Sequence, residues 1–283
     1  MTTTTTTRTL PNQAAAPDRS AVSLPRRFLR FQQRLCFAFD RFFLPARLGV
    51  DGNGDFEAAF VPPYLRPGLT VCDIGGGKSP YLLPETKQHL DLRVVGLDID
   101  PNELAHAPAD AYDETIAADV CRFQGNGDAD LVVCQAVLEH VPDAAAAVRS
   151  IASILRPGGV ALVFVPSGNA AFARLNRLLP ESVKRAVLFA LFPEKRAKQG
   201  FPAFYDRCTP ACFDRHAACA GLIVEARRVY FRSSYFSFCF PAYLLWRLWL
   251  LLYAALRGDE AAETFAVALR KPVVPHVVDE SGA

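Results

Sequence analysis

Three acids and a run of glycines are the residues of this chain whose types and spacing could do chemistry. Asp73 interrupts an apolar run and is followed by Gly75, Gly76 and Gly77. Asp98 ends a second apolar run, and Asp119 follows a third short segment. Glycine lets backbone approach a ligand closely and tolerates φ > 0, so VCDIGGGKSP (71–80) reads as a ligand-cradling turn after a strand. Two phosphate-binding versions of such a turn fit poorly. A P-loop built on Gly77, Lys78 and Ser79 needs glycine at position 72, which is Cys72, and Asp73 would repel phosphates. A dinucleotide fingerprint starting at Gly75 needs glycine at position 80, which is Pro80. The version that fits best is a turn for a cationic nucleoside without phosphate.

Cys208, Cys212, His216 and Cys219 invite a metal reading. Thr209 and Pro210 read as an N-cap and a first helical residue, which leaves Cys208 outside the helix and the other three on one face. Zinc sites place cysteines two to four residues apart with a partner pair elsewhere. A buried helix face, and no metal, is expected.

The elements that must position these groups alternate along the chain. Residues 94–100, 129–134 and 160–165 are apolar runs, separated by segments with helical character at 101–104 and 143–155. Strand, helix, strand at this spacing implies a parallel sheet with helices on both faces. Ligands on such sheets sit at the carboxyl ends of the strands, where Asp73, Asp98, Asp119 and Gln135 fall. DGNG (51–54) reads as a loop, and RPGG (156–159) as the end of the second helix.

Composition limits the function classes. A hydrophobic fraction of 51% supplies a core, and a net charge of +2 carries no nucleic-acid signature. The eight cysteines are scattered without a CxxC pair, as expected of small apolar residues in a reducing cytoplasm. Met1 is followed by threonines rather than a basic region and an apolar core, so no signal peptide is expected.

VCDIGGGKSP, VGLDIDP (95–101), ADV (118–120), DLVVCQAVLEHVPD (130–143) and LRPGG (155–159) resemble, in order and spacing, the motifs of class I S-adenosylmethionine (SAM) dependent methyltransferases of the type 11-like group. AGLIVE (220–225) and TFAVALRKP (264–272) resemble the antiparallel closing strands of that fold. The resemblance implies a Rossmann-like α/β fold with a seven-stranded, mostly parallel sheet and helices on both faces. It implies SAM as cofactor, with Gly75, Gly76 and Gly77 admitting its methionine portion and Asp73 facing its ammonium and sulfonium-bearing chain. Asp98 would take the ribose hydroxyls beside Ile99, and Asp119 with the Val120 N–H would take adenine. Gln135 would lie where methyl donor meets acceptor. Ser79 departs from the pattern, since many members carry a third glycine there. His140 can take a proton at neutral pH, but LEHVP occurs in this family on diverse acceptors. Packing beside the site is its expected role, and no general base is assigned.

The expected organisation is a disordered tail (1–24), an amphipathic helix and linker (25–66), the methyltransferase domain (67–272) and a second tail (273–283). Within the domain, a helical cap (168–207) covers the acceptor side, where His140, Tyr205 and Arg207 could touch the acceptor. A second insertion (233–258) carries an apolar helix over 241–256, interrupted only by Arg247. Sixteen residues reach about 24 Å, short of a roughly 30 Å hydrocarbon core, so spanning is not expected. Burial by the chain itself, by a second copy in a homodimer, or by a membrane surface remains. The arginine- and phenylalanine-rich helix from Arg26 to about Pro45 should pack beside the site, with attraction to anionic lipid as the alternative. The expected activity is methyl transfer to a small-molecule or lipid-like acceptor, with no nucleic-acid partner. A non-catalytic SAM-fold subunit and a nicotinamide oxidoreductase are the alternatives.

Overall fold

A computed structural model of the chain describes residues 24–178, 203–233 and 236–273. The expected tails and most of the expected cap lie outside the described residues. The strands are β1 (Thr70–Ile74), β2 (Arg93–Asp98), β3 (Glu114–Ala117), β4 (Ala129–Gln135), β5 (Leu155–Pro166), β6 (Ile223–Tyr230) and β7 (Thr264–Arg270). They form one sheet in the order β3-β2-β1-β4-β5-β7-β6. The first five pair in parallel, and β7 runs antiparallel between β5 and β6. The helices are α1 (Leu24–Phe43), α2 (Gly52–Asp55), α3 (Pro84–His89), α4 (Pro101–Ala105), α5 (Ala144–Ile154), α6 (Ala171–Leu178), α7 (Pro210–Cys219) and α8 (Phe240–Arg257).

Alternation along β4 shows why the sheet is covered on both faces. Val132 and Cys134 pack with Ile151 of α5 and Phe213 of α7, while Leu131 and Val133 pack with Phe56 and Phe60 on the other side. A period of two on an all-apolar strand buries both faces, as parallel sheets require. The strand order reverses between β1 and β4, which opens a crevice at their carboxyl ends.

Two local expectations are corrected. Residues 52–55 are helical rather than a loop, and they run into a wider turn over Phe56–Phe60 closed by the Val61 N–H on the Phe56 carbonyl. Burial of Phe56, Phe60 and Val61 against the sheet overrides the poor helix propensity of two glycines. The helix expected over 143–155 ends at Ile154, and RPGG, expected to close it, lies within β5, which starts at Leu155. Pro157 is tolerated there because the pairing of β4 with β5 is irregular between Ala129 and Leu131.

The α7 expectation holds at its start, where the Thr209 side chain accepts from the Cys212 N–H and Pro210 follows. Its buried face, however, is Pro210, Phe213, His216 and Ala217, with Cys219 exposed. Among the described residues no His/Cys/Asp/Glu cluster could hold a metal.

Helix α8 packs on α1, and the contact is polar at its centre. Arg247, 1% exposed, donates from Nε to Asp40 Oδ1 at 3.0 Å and from Nη2 to Asp40 Oδ2. The Tyr243 hydroxyl donates to the same carboxylate at 2.5 Å. Arg247 also donates to the backbone carbonyls of Phe231 and Leu48. A buried charge needs this degree of compensation to be tolerated. The opposite face of α8 is not covered. Leu245, Leu248, Leu252 and Leu256 are between 57% and 81% exposed, so of the three kinds of burial considered, the described part of the chain supplies only that of one face. No helix among the described residues is long and apolar enough to cross a membrane.

Candidate active site

The glycine turn is held by the chain's own side chains. Asp73 is buried, and its Oδ2 accepts from the Tyr81 N–H at 2.8 Å and lies 3.1 Å from the Tyr112 hydroxyl. A Cβ at Gly76 would fall 2.3 Å from that Oδ2 and 2.5 Å from the Tyr112 oxygen, so nothing larger than glycine fits. Gly75, at φ +75°, would place a Cβ 2.3 Å from Val137. The turn is thus pressed between Asp73 below and Val137 beside it. Burial pushes the Asp73 carboxyl up to about 6, against the two hydrogen bonds that lower it.

A cavity of about 380 Å³ opens where this turn meets the ends of β2 and β4. Asp98, Ile99, Asp119 and Val120 line it, with Gly75, and His140 stands on its far wall. Asp98 is set by its own turn, its Oδ1 accepting from the Asp100 N–H at 2.9 Å. Asp100, not Asp98, caps α4, accepting from the Asn102 N–H. Asp119 likewise accepts from the Cys121 N–H. Burial raises the Asp98 carboxyl above its ordinary range. Among the described residues the wall holds two carboxylates and neither lysine nor arginine. That set suits hydroxyl and amino donors next to apolar Leu97, Val120 and Val141, and it does not suit a pyrophosphate. SAM, a cation with a diol and an adenine amino group, fits the acceptors present.

A second cavity of about 410 Å³ adjoins the first. Ala136, at φ +55° just past β4, lines both. Phe164, Phe172 and Pro166 give this second space an apolar wall, and Glu139, Glu263, Ser233 and Arg232 a polar one. Tyr205 lines it as well, and its N–H donates to the Glu139 carbonyl at 3.0 Å.

Not every residue expected from the sequence lines these spaces. Asp73, Gly76 and Gly77 lie behind the cavity wall, and Gln135 turns away to donate to Glu57 at 3.0 Å. Arg207 lines neither cavity; its backbone is held by the ring of His216. Sequence reasoning missed Tyr112, Glu139, Glu263 and Arg232. For Tyr112, Glu263 and Arg232 the sequence gives no local signal, since each reaches the site from a different element. Glu139 had one, an acid beside His140 just past a buried strand.

A strand order that reverses at an acid–glycine turn, with carboxylates at the next strand ends and no cation for phosphate, defines a SAM-dependent methyltransferase. The chain belongs to the methyltransferase-domain family, whose profile matches residues 53–201. It is 31% identical over 192 residues to a ubiquinone biosynthesis O-methyltransferase of Cupriavidus pinatubonensis, covering 65% of this chain and 68% of that protein. It is 34% identical over 145 residues to the protein of that name from Xanthomonas campestris pv. campestris, covering 45% of this chain and 57% of that one. Among solved structures, a SAM-dependent methyltransferase from Mesorhizobium loti superposes with a TM-score of 0.48 at 16% identity, covering 79% of this chain and 99% of that one.

Proposed function

We propose that the first cavity holds SAM and the second holds the methyl acceptor, a small lipid-like molecule methylated on oxygen. The observation that carries this reading is the shared wall at Ala136, where a methyl group leaving one cavity is presented to the other. Asp98 accepts from the ribose hydroxyls, because a carboxylate at a strand end takes two donors well. Asp119 accepts from the adenine amino group, the Val120 N–H donates to the ring, and Ile99 lies against its face. Gly75 admits the methionine portion, with Gly76 and Gly77 shaping the turn behind it. Asp73 acts on the cationic end through its charge, from beneath the turn. Gln135 ties the rim to Glu57 rather than touching the methyl. Tyr205 and His140 border the acceptor, and Arg207 is scaffold.

Bound SAM supplies an electrophilic methyl on a positively charged sulfur. The chain's part is to hold an acceptor oxygen in line with that methyl and keep water out, and proximity alone can supply several kcal/mol of the barrier. The O-methyltransferase relatives and the half-apolar, half-polar acceptor wall support a hydroxylated, lipid-like acceptor. We divide the chain accordingly into α1 with its linker (25–66) and a methyltransferase unit over 67–272, whose insertion at 233–258 carries α8 and packs it on α1 as a helical flank on the acceptor side. That flank suits a membrane surface. Arg27, Arg30, Arg34 and Arg41 of α1 are exposed for anionic head groups, and the uncovered leucines of α8 for the acyl boundary.

Incubation with labelled SAM and separate phenolic-lipid, polar small-molecule and protein fractions tests the reading. Label is expected in the phenolic-lipid fraction as a methyl ether; label confined to protein, or to nitrogen, overturns it.

A further inference from the structure

Two carboxylates on the acceptor wall are deeply buried, and they differ in one respect. Glu263 is engaged: its Oε1 accepts from the Trp246 indole N–H and the Ala171 N–H, both at 3.2 Å. Glu139 is 4% exposed, and its Oε2 has no hydrogen-bond partner among the described residues. A buried carboxylate oxygen left unpaired is costly, and folds retain such a group where a ligand or a reaction uses it. The structural duty at this position falls on the backbone instead. The Glu139 carbonyl accepts the N–H groups of Phe204 and Tyr205, so the backbone at this position ties down that segment.

Its placement gives the carboxylate a task. Glu139 stands on the short turn Leu138–His140 that follows Ala136, the residue shared by the two cavities. Glu139 lines the acceptor cavity and His140 the cofactor cavity. We infer that Glu139 is the proton acceptor of the reaction, taking the hydrogen of the acceptor hydroxyl as the oxygen is methylated. This rests on the oxygen-acceptor reading above. The step balances: the oxygen–carbon bond forms as the carbon–sulfur bond breaks, the sulfur becomes neutral, and the hydroxyl proton passes to the carboxylate and later to water.

The groups around Glu139 suit that step. His140 Nε2 lies 3.8 Å from its Oε1. The thiols of Cys134 and Cys208 are near enough to feel its charge, and burial raises both of them, so neither is ionised beside it. Across the cavity stand Asp51, Tyr205, Arg232 and Glu263. Burial pushes the Glu139 carboxyl up to about 7, where a base is both partly ionised and strong enough to take a proton.

The experiment uses the full chain, SAM, an alkyl catechol and a nitrocatechol whose hydroxyl is already ionised at neutral pH. For wild type on the alkyl catechol, kcat/KM should fall as pH drops below about 7. Glu139→Gln should lose roughly a hundredfold or more with the alkyl catechol. It should lose that pH limb, bind SAM unchanged by calorimetry, and lose less than tenfold with nitrocatechol. His140→Gln should keep the limb. A folded, SAM-binding Glu139→Gln that keeps the limb and wild-type kcat overturns the proposal, as does equal loss on both catechols. Wild type that methylates amines but neither catechol overturns the oxygen-acceptor reading, and the proposal with it.

Discussion

The two cavities on either side of Ala136 are close in volume, about 380 and 410 Å³, and unlike in construction. The cofactor cavity is made at the ends of consecutive strands, with Asp98 the last residue of β2 and Gly75, Asp119 and Ala136 a residue or two past the ends of β1, β3 and β4. Its side chains are fixed locally, as when Asp98 accepts from Asp100 and Asp119 from Cys121. The acceptor cavity draws its wall from Asp51 to Thr264, and long-range contacts hold it. Trp246 of α8 donates to Glu263, and α8 itself is pinned to α1 by Arg247 and Asp40. The cofactor cavity therefore depends on residues fixed within their own turns, and the shape of the acceptor cavity depends on helix contacts far away in the chain.

The long-range half should break hardest. Arg247→Met leaves Asp40 buried without its cation, which costs about 3–5 kcal/mol. Chemical denaturation should show that loss, with acceptor turnover falling and SAM affinity of the remaining folded fraction unchanged. Pairing it with Asp40→Asn removes the stranded charge and should recover more than half. A single variant within about 0.5 kcal/mol of wild type would mean that α8 is held by its apolar contacts alone.

The cofactor half should break the other way. Asp98→Ala removes the partner of two ribose donors, each charge-assisted bond being worth about 1.5–3 kcal/mol. SAM affinity should fall a hundredfold or more by calorimetry. Wild type at a hundredfold excess of ligand over Kd gains about 2.7 kcal/mol, and the variant should show almost none of that gain with its unliganded stability preserved. A loss of only a few-fold would put the ribose elsewhere.

A third outcome sharpens the contrast through pH. The Glu139 carboxyl titrates near 7 in the fold and near its ordinary 4.5 when unfolded, so the folded state binds the proton more tightly. Its contribution to stability is full below pH 4.5 and is lost as pH rises through 7. Glu139→Gln, neutral throughout, should match wild type at pH 4 and exceed it by about 2–3 kcal/mol at pH 8. Equal stability at both would mean the carboxylate finds a partner in solution.

This division also explains what the sequence revealed. The cofactor side is legible because each ligand-facing residue follows a strand that announces itself by an apolar run, and because glycine admits few readings next to an acid. Even so, the glycines serve Asp73, Tyr112 and Val137 as much as any ligand, which only packing reveals. The acceptor side is not legible because its pairs are distant. Asp40, the one acid among the arginines of α1, and Arg247, the one charge between positions 241 and 256, are each an oddity alone. Together they explain each other, but no local pattern links positions 207 residues apart. Read alone, Arg247 argued only against spanning a membrane. In the fold it turns one face of α8 inward and leaves the leucines outside.

Those leucines give the smallest expected change in stability. Leu248 and Leu252 lie one turn apart on the exposed face of α8 and are more than half exposed, so replacing both with glutamate removes little packing. Such surface changes usually stay within about 0.5 kcal/mol, and SAM binding should be unaffected. Membrane attachment should respond strongly, because the changes put charge where acyl chains would lie and set it against anionic head groups. Wild type should float with vesicles containing phosphatidylglycerol and sediment with purely zwitterionic ones, and added salt should weaken the binding. Arg30→Glu with Arg34→Glu should mimic the leucine pair on vesicles, while changing neither SAM binding nor turnover of a water-soluble catechol. If wild type never floats and sediments as a dimer that Leu248→Glu with Leu252→Glu converts to a monomer, the face belongs to a second copy of the chain, and the acceptor must reach its cavity from solution.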